Sequence, residues 1–451
     1  MNELWRKYLG RRAPRYTSYP SALHFDEQVS AEDYAARLGE VGLYDPLSLY
    51  VHIPFCRSLC WYCGCNMRVE NDYGRALRYV DALRREIGLV GKALSGAGRP
   101  LSVHFGGGTP NFLNIPDIGR ILETVESELG LTDSTRLAIE LDPRLIRDGD
   151  IESLAALGFK RMSLGVQDFD PAVQAAINRV QSFNLVESAV GDMRRCGLTD
   201  ISFDLLYGLP EQTVSSFTDT LATTIALSPD RVAVFGYAHL PAALPRQRLI
   251  DEVTLPCGDL RADLSLLADE MLIAAGYRRI GFDHYAKPDN ALARAAISGR
   301  LRRNFQGFTD DLAETTIGLG VSAIGYVGEM YAQNAKTLAD YYDCVANGRL
   351  ATKRGIILSP RERVIAATIR DLLCRSGADM RPLLAALAPG EANRVCSSLD
   401  RLEQDGVIHW SGDIVKLAQD AYLLARVAAM ALDPYEAAIG REQNHALTQA
   451  I

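Results

Sequence analysis

Four cysteines fall within ten residues, Cys56, Cys60, Cys63 and Cys65, in the run Phe55-Cys-Arg-Ser-Leu-Cys-Trp-Tyr-Cys-Gly-Cys65. The first three have the spacing C-x3-C-x2-C. Three thiolates so placed suit three irons of a [4Fe–4S] cluster and leave the fourth iron open to a ligand. Such a cluster can act on a substrate as well as relay electrons. A structural zinc site is the plainer alternative. Zinc sites usually pair C-x2-C with a second such pair or with two distant histidines. Here the other five cysteines, Cys196, Cys257, Cys344, Cys374 and Cys396, stand alone and read as small core hydrophobes. A redox Cys-x-x-Cys would leave Cys56 unexplained.

The loop needs a scaffold. Residues 47–53 read as a buried strand ended by Pro54, with the cysteines just beyond its carboxyl end. Helical periodicity over 73–95 leads to strand 102–105 and the glycines Gly106-Gly-Gly-Thr-Pro110. A helix over 115–129, a strand over 137–141 and a helix over 151–157 follow. Strand 161–166, helices near 171–178 and 183–196, strand 200–206, helix 213–227 and strand 231–235 complete the alternation. Repeated strand–helix units predict a parallel sheet or partial barrel, whose chemistry sits at the carboxyl ends of its strands. Gly106, Glu140, Gln167 and Asp204 fall at those ends and describe a ligand-lined mouth. The glycine loop is either a tight turn or a place where backbone approaches a ligand; it lacks a Walker lysine. Glu140 ends an apolar strand and needs a cationic partner, from a ligand or from a neighbouring residue. Trp61 and Tyr62 either shield a cluster or pack the loop.

The chain has 451 residues, is 48% hydrophobic and carries a formal net charge of −8. That suits two or three domains with full cores and argues against nucleic acid or an anionic membrane as a partner. No run of 18 apolar residues and no signal peptide is present, so a cytoplasmic location is expected. Beyond about residue 359 the character changes. Ser359-Pro360 predicts a helix start, and helices near 391–405 and 419–432 flank a hairpin at 406–417, a winged-helix-like pattern. With ten Arg/Lys against twelve Asp/Glu over 359–451, a lid or packing module fits better than DNA binding.

The cysteine spacing after a first strand resembles the radical S-adenosylmethionine superfamily. Near end to end, the chain resembles the oxygen-independent coproporphyrinogen III oxidases. The motifs are Arg15-Tyr-Thr-Ser-Tyr-Pro20, Tyr50-Val-His-Ile-Pro-Phe55, Cys63-Gly-Cys-Asn66, Gly106-Gly-Gly-Thr-Pro110, Gly165-Val-Gln-Asp-Phe169 and Asp204-Leu-Leu-Tyr-Gly-Leu-Pro210, then Tyr237-Ala-His-Leu-Pro241, Arg303-Asn-Phe-Gln-Gly307, Gly320-Val-Ser-Ala-Ile324 and Tyr331-Ala-Gln-Asn334. The resemblance implies an α/β fold: a partial (βα)6 radical SAM barrel over 47–358, an N-terminal arm over 1–46 and a mostly helical, winged-helix-like domain over 359–451. It implies that two propionates of coproporphyrinogen III, on rings A and B, are decarboxylated to vinyl groups through a 5′-deoxyadenosyl radical, giving protoporphyrinogen IX.

The same resemblance implies one [4Fe–4S] cluster on Cys56, Cys60 and Cys63 and two S-adenosylmethionine molecules. The first would contact Tyr50, Tyr62, Gly107, Glu140 and Ile324; the second Gly108, Thr109, Gln167, Arg179, Asp204 and Ala238. Cys65 and Gln306 become candidates on the reaction side, and Arg15, with Arg11 or Arg12, for the substrate's carboxylates. A low-potential electron donor, an electron acceptor and a monomeric state are also implied. The pattern departs from the family at Trp61-Tyr62, where Tyr-Phe is common, and at Thr315-Thr-Ile317. A haem chaperone or another radical SAM tetrapyrrole enzyme is the alternative. Such chaperones typically lack the thiol after Cys63 and the Arg-Tyr-Thr-Ser-Tyr-Pro arm, both present here.

Overall fold

The computed structural model describes residues 3–435 and 448–449, so the end of the expected 359–451 segment lies largely outside the described residues. Six parallel strands lie side by side in chain order: β1 (Pro46–Ile53), β2 (Arg99–Gly107), β3 (Arg136–Leu141), β4 (Phe159–Gln167), β5 (Asp200–Tyr207) and β6 (Arg231–Gly236). Antiparallel β7 (Arg278–Ile280) and β8 (His284–Ala286) extend the β6 edge. On the other edge β9 (Thr315–Leu319) runs parallel to β1, followed by antiparallel β10 (Ile324–Val327), β11 (Met330–Asn334) and β12 (Thr352–Ile357). The twelve strands form one open sheet that curves without closing. The six-strand expectation therefore covers half of the sheet; β7–β12 are short or antiparallel and carry no strand–helix rhythm.

The strands alternate with period two. In β1, Leu47, Leu49, Val51 and Ile53 are fully buried, while Ser48, Tyr50 and His52 line an interior cavity. In β3, Ile139 and Leu141 are buried and Glu140 faces cavity space. In β5, Ile201, Phe203 and Leu205 are buried and Asp204 faces the cavity. Apolar side chains thus face the helices and polar ones the concave interior. The helices Tyr73–Leu94 and Ile115–Leu129 bury their apolar stripes in the same core, as hydrophobic matter withdrawn from water.

A second core has an unexpected membership. Trp5, Tyr8, Leu9, Ala13, Tyr16 and Tyr19 from the arm pack with Ile365, Leu372, Leu383, Leu399 and Val427 from beyond residue 359. The arm is thus continuous with the C-terminal segment's core. There, helix Pro360–Arg375 starts at a capping box on Ser359, as Pro at N1 suggests. The hairpin Ile408–Ser411 and Ile414–Leu417 gains a third strand, Gly377–Asp379. Residues 419–424 form a 3-10 turn before the short helix Ala425–Ala431, not one continuous helix. Cys344 and Cys374 are buried as expected, but Cys257 is exposed as the cap of helix Gly258–Ala274, and Cys196 and Cys396 are only partly buried. Among the described residues no helix is long and apolar enough to cross a membrane.

The arm is fastened at Asp405. Lys7 Nζ donates to its Oδ1 (2.6 Å), Tyr8 hydroxyl to its Oδ2, and Trp5 Nε1 to its main-chain carbonyl (3.0 Å). Asp405→Ala strips two of these donors of their acceptor, a loss of roughly 1–3 kcal/mol. Limited proteolysis should then cut within the first 20 residues much faster than in the parent, while the sheet's own melting transition is retained.

Candidate functional site

The cysteine loop leaves β1 at Pro54. Phe55–Cys56 pairs with Arg68–Val69 as a small parallel ladder, closing the loop at its base. Cys56 and Cys60 are buried, Cys63 is partly buried and Cys65 is exposed. Beneath them is a cavity of about 540 Å3 lined by all four cysteines and by Tyr62, Gly107, Gly108, Thr109, Glu140, Gln167, Arg179, Asp204 and Ala238. A larger cavity of about 1090 Å3 adjoins it. Gly64, Cys65, Met67, Gly107, Glu140 and Leu244 line both. Tyr50, Ile324 and Gln306 line the larger one alone. Of the residues expected for a first cofactor, Tyr50, Gly107, Glu140 and Ile324 border the larger space; all those expected for a second border the smaller. Tyr62 falls on the smaller side.

Around the thiols the chemistry suits bound metal. Burial pushes the Cys56 thiol up to about 12, although Thr109 Oγ1 at 3.3 Å works against this; a thiolate there requires a cation. The bond with Cys65 draws Cys63 down to about 6 against its burial, and Cys65 N donates to Cys63 Sγ (3.4 Å). Arg144 Nη2 and Arg179 Nη1 each donate to Cys60 Sγ at 3.5 Å, which favours sulfur bearing negative charge. Among the described residues no three His, Cys, Asp or Glu side chains gather as a single ion would need.

Asp142 is the fixed point of this wall. It accepts from Arg144 Nη2 (2.6 Å) and Arg179 Nη1 (3.1 Å), while Arg179 Nη2 donates to Gly165 O (2.6 Å). Sequence reading missed Asp142 and Arg144, although the Leu-Asp-Pro-Arg run just after β3 marks the place. It also missed the partner of Glu140. His104, on β2, donates from Nε2 to Glu140 Oε1 (2.9 Å) and accepts at Nδ1 from Arg161 Nη2 (3.2 Å). The partners assign the tautomer. Burial would lift Glu140, but His104 and the Gly107 amide outweigh it and hold the carboxyl below its ordinary value. Glu140 therefore has a protein partner and still faces both cavities.

The glycines answer to the fold. Gly107 has φ +118, and a Cβ there would meet the His52 ring at 2.7 Å; one on Gly108 would meet Phe55 O at 2.9 Å. The loop passes directly beneath the start of the cysteine segment, so only glycine fits. Gln167 is held at φ +68, a conformation that costs a non-glycine residue of order 1 kcal/mol and marks places the surroundings over-determine. Trp61 and Tyr62 pack onto a separate apolar cluster with Val173, Ile177, Leu209 and Tyr237. Of the arginine candidates, Arg15 lines the cluster cavity. Arg11 stacks on Tyr8, and Arg12 sits in the strand pairing with Thr448–Gln449; neither lines either cavity.

Comparison with known proteins follows this geometry. Residues 50–223 match the Radical SAM superfamily. The oxygen-independent coproporphyrinogen III oxidase of Bradyrhizobium diazoefficiens is 39% identical, covering 95% of this chain and 96% of its own. That of Pseudomonas aeruginosa is 39% identical over 98% and 97%. The solved structure of Escherichia coli coproporphyrinogen III oxidase, described as a radical SAM enzyme, superposes with a TM-score of 0.88 at 37% identity, covering 93% and 97%.

Two outcomes test the site. Cys56→Ala should keep a folded circular dichroism spectrum and lose the chain's iron and its cluster absorbance; full iron content would overturn the ligand assignment. Asp204 is pushed up to about 7, by burial first and then by Glu140. A raised carboxyl is neutral in the fold while the unfolded chain ionises, so stability falls as pH rises from about 4 to about 7 and then levels. Asp204→Asn should remove that slope, leaving a ligand-free protein more stable than the parent at pH 8 and little changed at pH 4, read from melting temperatures.

Proposed function

The chain belongs to the family of oxygen-independent coproporphyrinogen III oxidases, and we propose that it converts coproporphyrinogen III to protoporphyrinogen IX, removing the propionate carboxylates of rings A and B. Each propionate gives up one hydrogen atom, one electron and CO2 and becomes vinyl. The carrying observation is the pair of adjoining cavities, one under the cysteine loop and one wide enough for a tetrapyrrole, joined at Cys65, Gly107 and Glu140. The larger cavity is lined by Arg246, Arg302, Arg303, Lys336 and Arg370 against Glu140, Asp311 and Glu314. Four substrate carboxylates are thus met by local cations in a chain of net charge −8.

The cluster and S-adenosylmethionine, when bound, supply a 5′-deoxyadenosyl radical able to take the hydrogen atom. The chain's own part is placement and exclusion. Cys56, Cys60 and Cys63 hold the cluster in this reading. Glu140, kept anionic by His104, orients a cationic ligand group at the junction. Arg179, clamped by Asp142 and Gly165, presents a guanidinium to a ligand carboxylate. Cys65 and Gln306 lie on the substrate side. Tyr16 and Tyr19 of the arm line the larger cavity and keep bulk water from the reacting carbon.

Two S-adenosylmethionine molecules are proposed: the residues the family assigns to the second all border the smaller space, while of those for the first Tyr50 and Ile324 border the larger alone, Gly107 and Glu140 border both and Tyr62 borders the smaller. The arm 1–46, the catalytic unit 47–358 and the unit 359–451 are proposed as working divisions, with the arm acting as wall rather than free lid. A monomeric state is proposed from the family's pattern. Free thiols and a reducible cluster support a cytoplasmic location. Electrons enter from a separate low-potential donor and leave to a separate acceptor.

Anaerobic incubation with dithionite, S-adenosylmethionine and coproporphyrinogen III should give protoporphyrinogen IX and 5′-deoxyadenosine, followed by chromatography of the oxidised porphyrins. Deoxyadenosine without decarboxylated porphyrin would keep the radical chemistry and overturn the substrate.

A further inference from the structure

Beside the two cavities of the site lies a smaller one, of about 110 Å3, lined in part by Arg15, Thr17, Asp283, Arg303, Gln306 and Arg426. The guanidinium groups of Arg15 and Arg303 face one carboxylate there. Asp283 is already engaged by His284 Nδ1 (2.6 Å) and by Arg303 Nη2 (3.7 Å). Arg303 is buried to all but 5% of its side chain, between the rings of Phe282 and Phe308 at 4.7 and 4.5 Å. Its Nη1 finds no hydrogen-bond partner. Arg15 faces cavity space, and among the described residues no hydrogen bond or ion pair engages its guanidinium.

Arginine is the side chain suited to gripping a carboxylate by two parallel bonds. Leaving buried guanidinium charge without a counter-ion is costly. The space is close to the size of one carboxylate with its methylene. It also lies where the others meet: Arg15 lines the cluster cavity, and Arg303 and Gln306 line the larger one. A ligand filling the larger cavity can therefore put one acidic arm into it.

We propose that Arg15 and Arg303 form an anchoring pocket for one of the two propionates that the product keeps. The inference rests on the coproporphyrinogen reading above. The choice of a retained propionate follows from energetics. Charge-assisted bonds stabilise the carboxylate as an anion, and loss of CO2 would have to surrender them on the way to the transition state. A strong grip slows decarboxylation of the group it holds and aligns the others.

The test is binding to full-length, anaerobically reconstituted protein, read by porphyrin fluorescence, with coproporphyrin III, protoporphyrin IX and coproporphyrin tetramethyl ester as probes. Arg15→Gln and Arg303→Gln should each weaken both free acids by roughly 10- to 100-fold and leave the ester's affinity unchanged. Arg15→Lys should recover part of the loss. Weakened coproporphyrin III with unchanged protoporphyrin IX would overturn the retained-propionate assignment. Unchanged affinities, in protein that still makes protoporphyrinogen, would overturn the pocket and leave the function standing. Parent protein that neither binds nor converts the porphyrins would overturn both.

Discussion

Strand β1 is hydrogen-bonded along both edges, to β2 from Pro46 through Ile53 and to β9 over Leu47–Val51. It lines the larger cavity and leads directly into the cysteine loop. Its buried face, Leu49, Val51 and Ile53, anchors it to the helices; its other face gives Tyr50 and His52 to the larger cavity. Pro54 ends it and the cysteines begin. The glycine loop after β2 crosses under that junction so closely that Gly107 and Gly108 admit no side chain. Slip of this strand by one residue would turn all its side chains to the other face, removing Tyr50 and His52 from the cavity and taking the thiols with them.

Charge is distributed by the same economy. An acidic chain presents a cavity wall with more cations than anions, and it does so by pairing acids away from the opening. Asp142 ties Arg144 and Arg179 to the thiol wall. Asp310 answers Arg136 and Arg231 beneath the strands. Glu140 is the acid that faces both cavities, and its anionic state is set from behind by the Arg161–His104 relay. Local geometry, more than net charge, decides what such a surface attracts.

Much of this was legible in the sequence, for physical reasons. The six parallel strands and their helices follow a strong rhythm of apolar runs and turns, and helix Ile115–Leu129 lies where its pattern ends at Gly130. The cysteine loop was readable because thiol spacing is local. Partnerships across the sheet were not: His104 and Glu140 are 36 residues apart, and only the parallel register makes them neighbours. β7–β12 were missed because strands of three to six residues lack a period long enough to read. Arg303 stood inside a recognised motif, yet nothing local says that it would be sealed between two phenylalanine rings. Cys257 read as core from its apolar surroundings; capping a helix instead leaves it at the surface.

The shared core of the two chain ends has a consequence for biosynthesis. Trp5, Tyr8 and Tyr19 share a core with residues drawn largely from 365–432. A ribosome delivers the N-terminus first and those partners last. The strands and the thiol loop can fold while the chain is still growing, but the wall formed by Tyr16 and Tyr19 waits for about the final fifth of the message. Until then the larger cavity lacks that wall, leaving the adjoining cysteine loop approachable from that side by whatever delivers iron and sulfide. Completion of the chain then closes that side, giving loading and sealing an order set by the direction of translation.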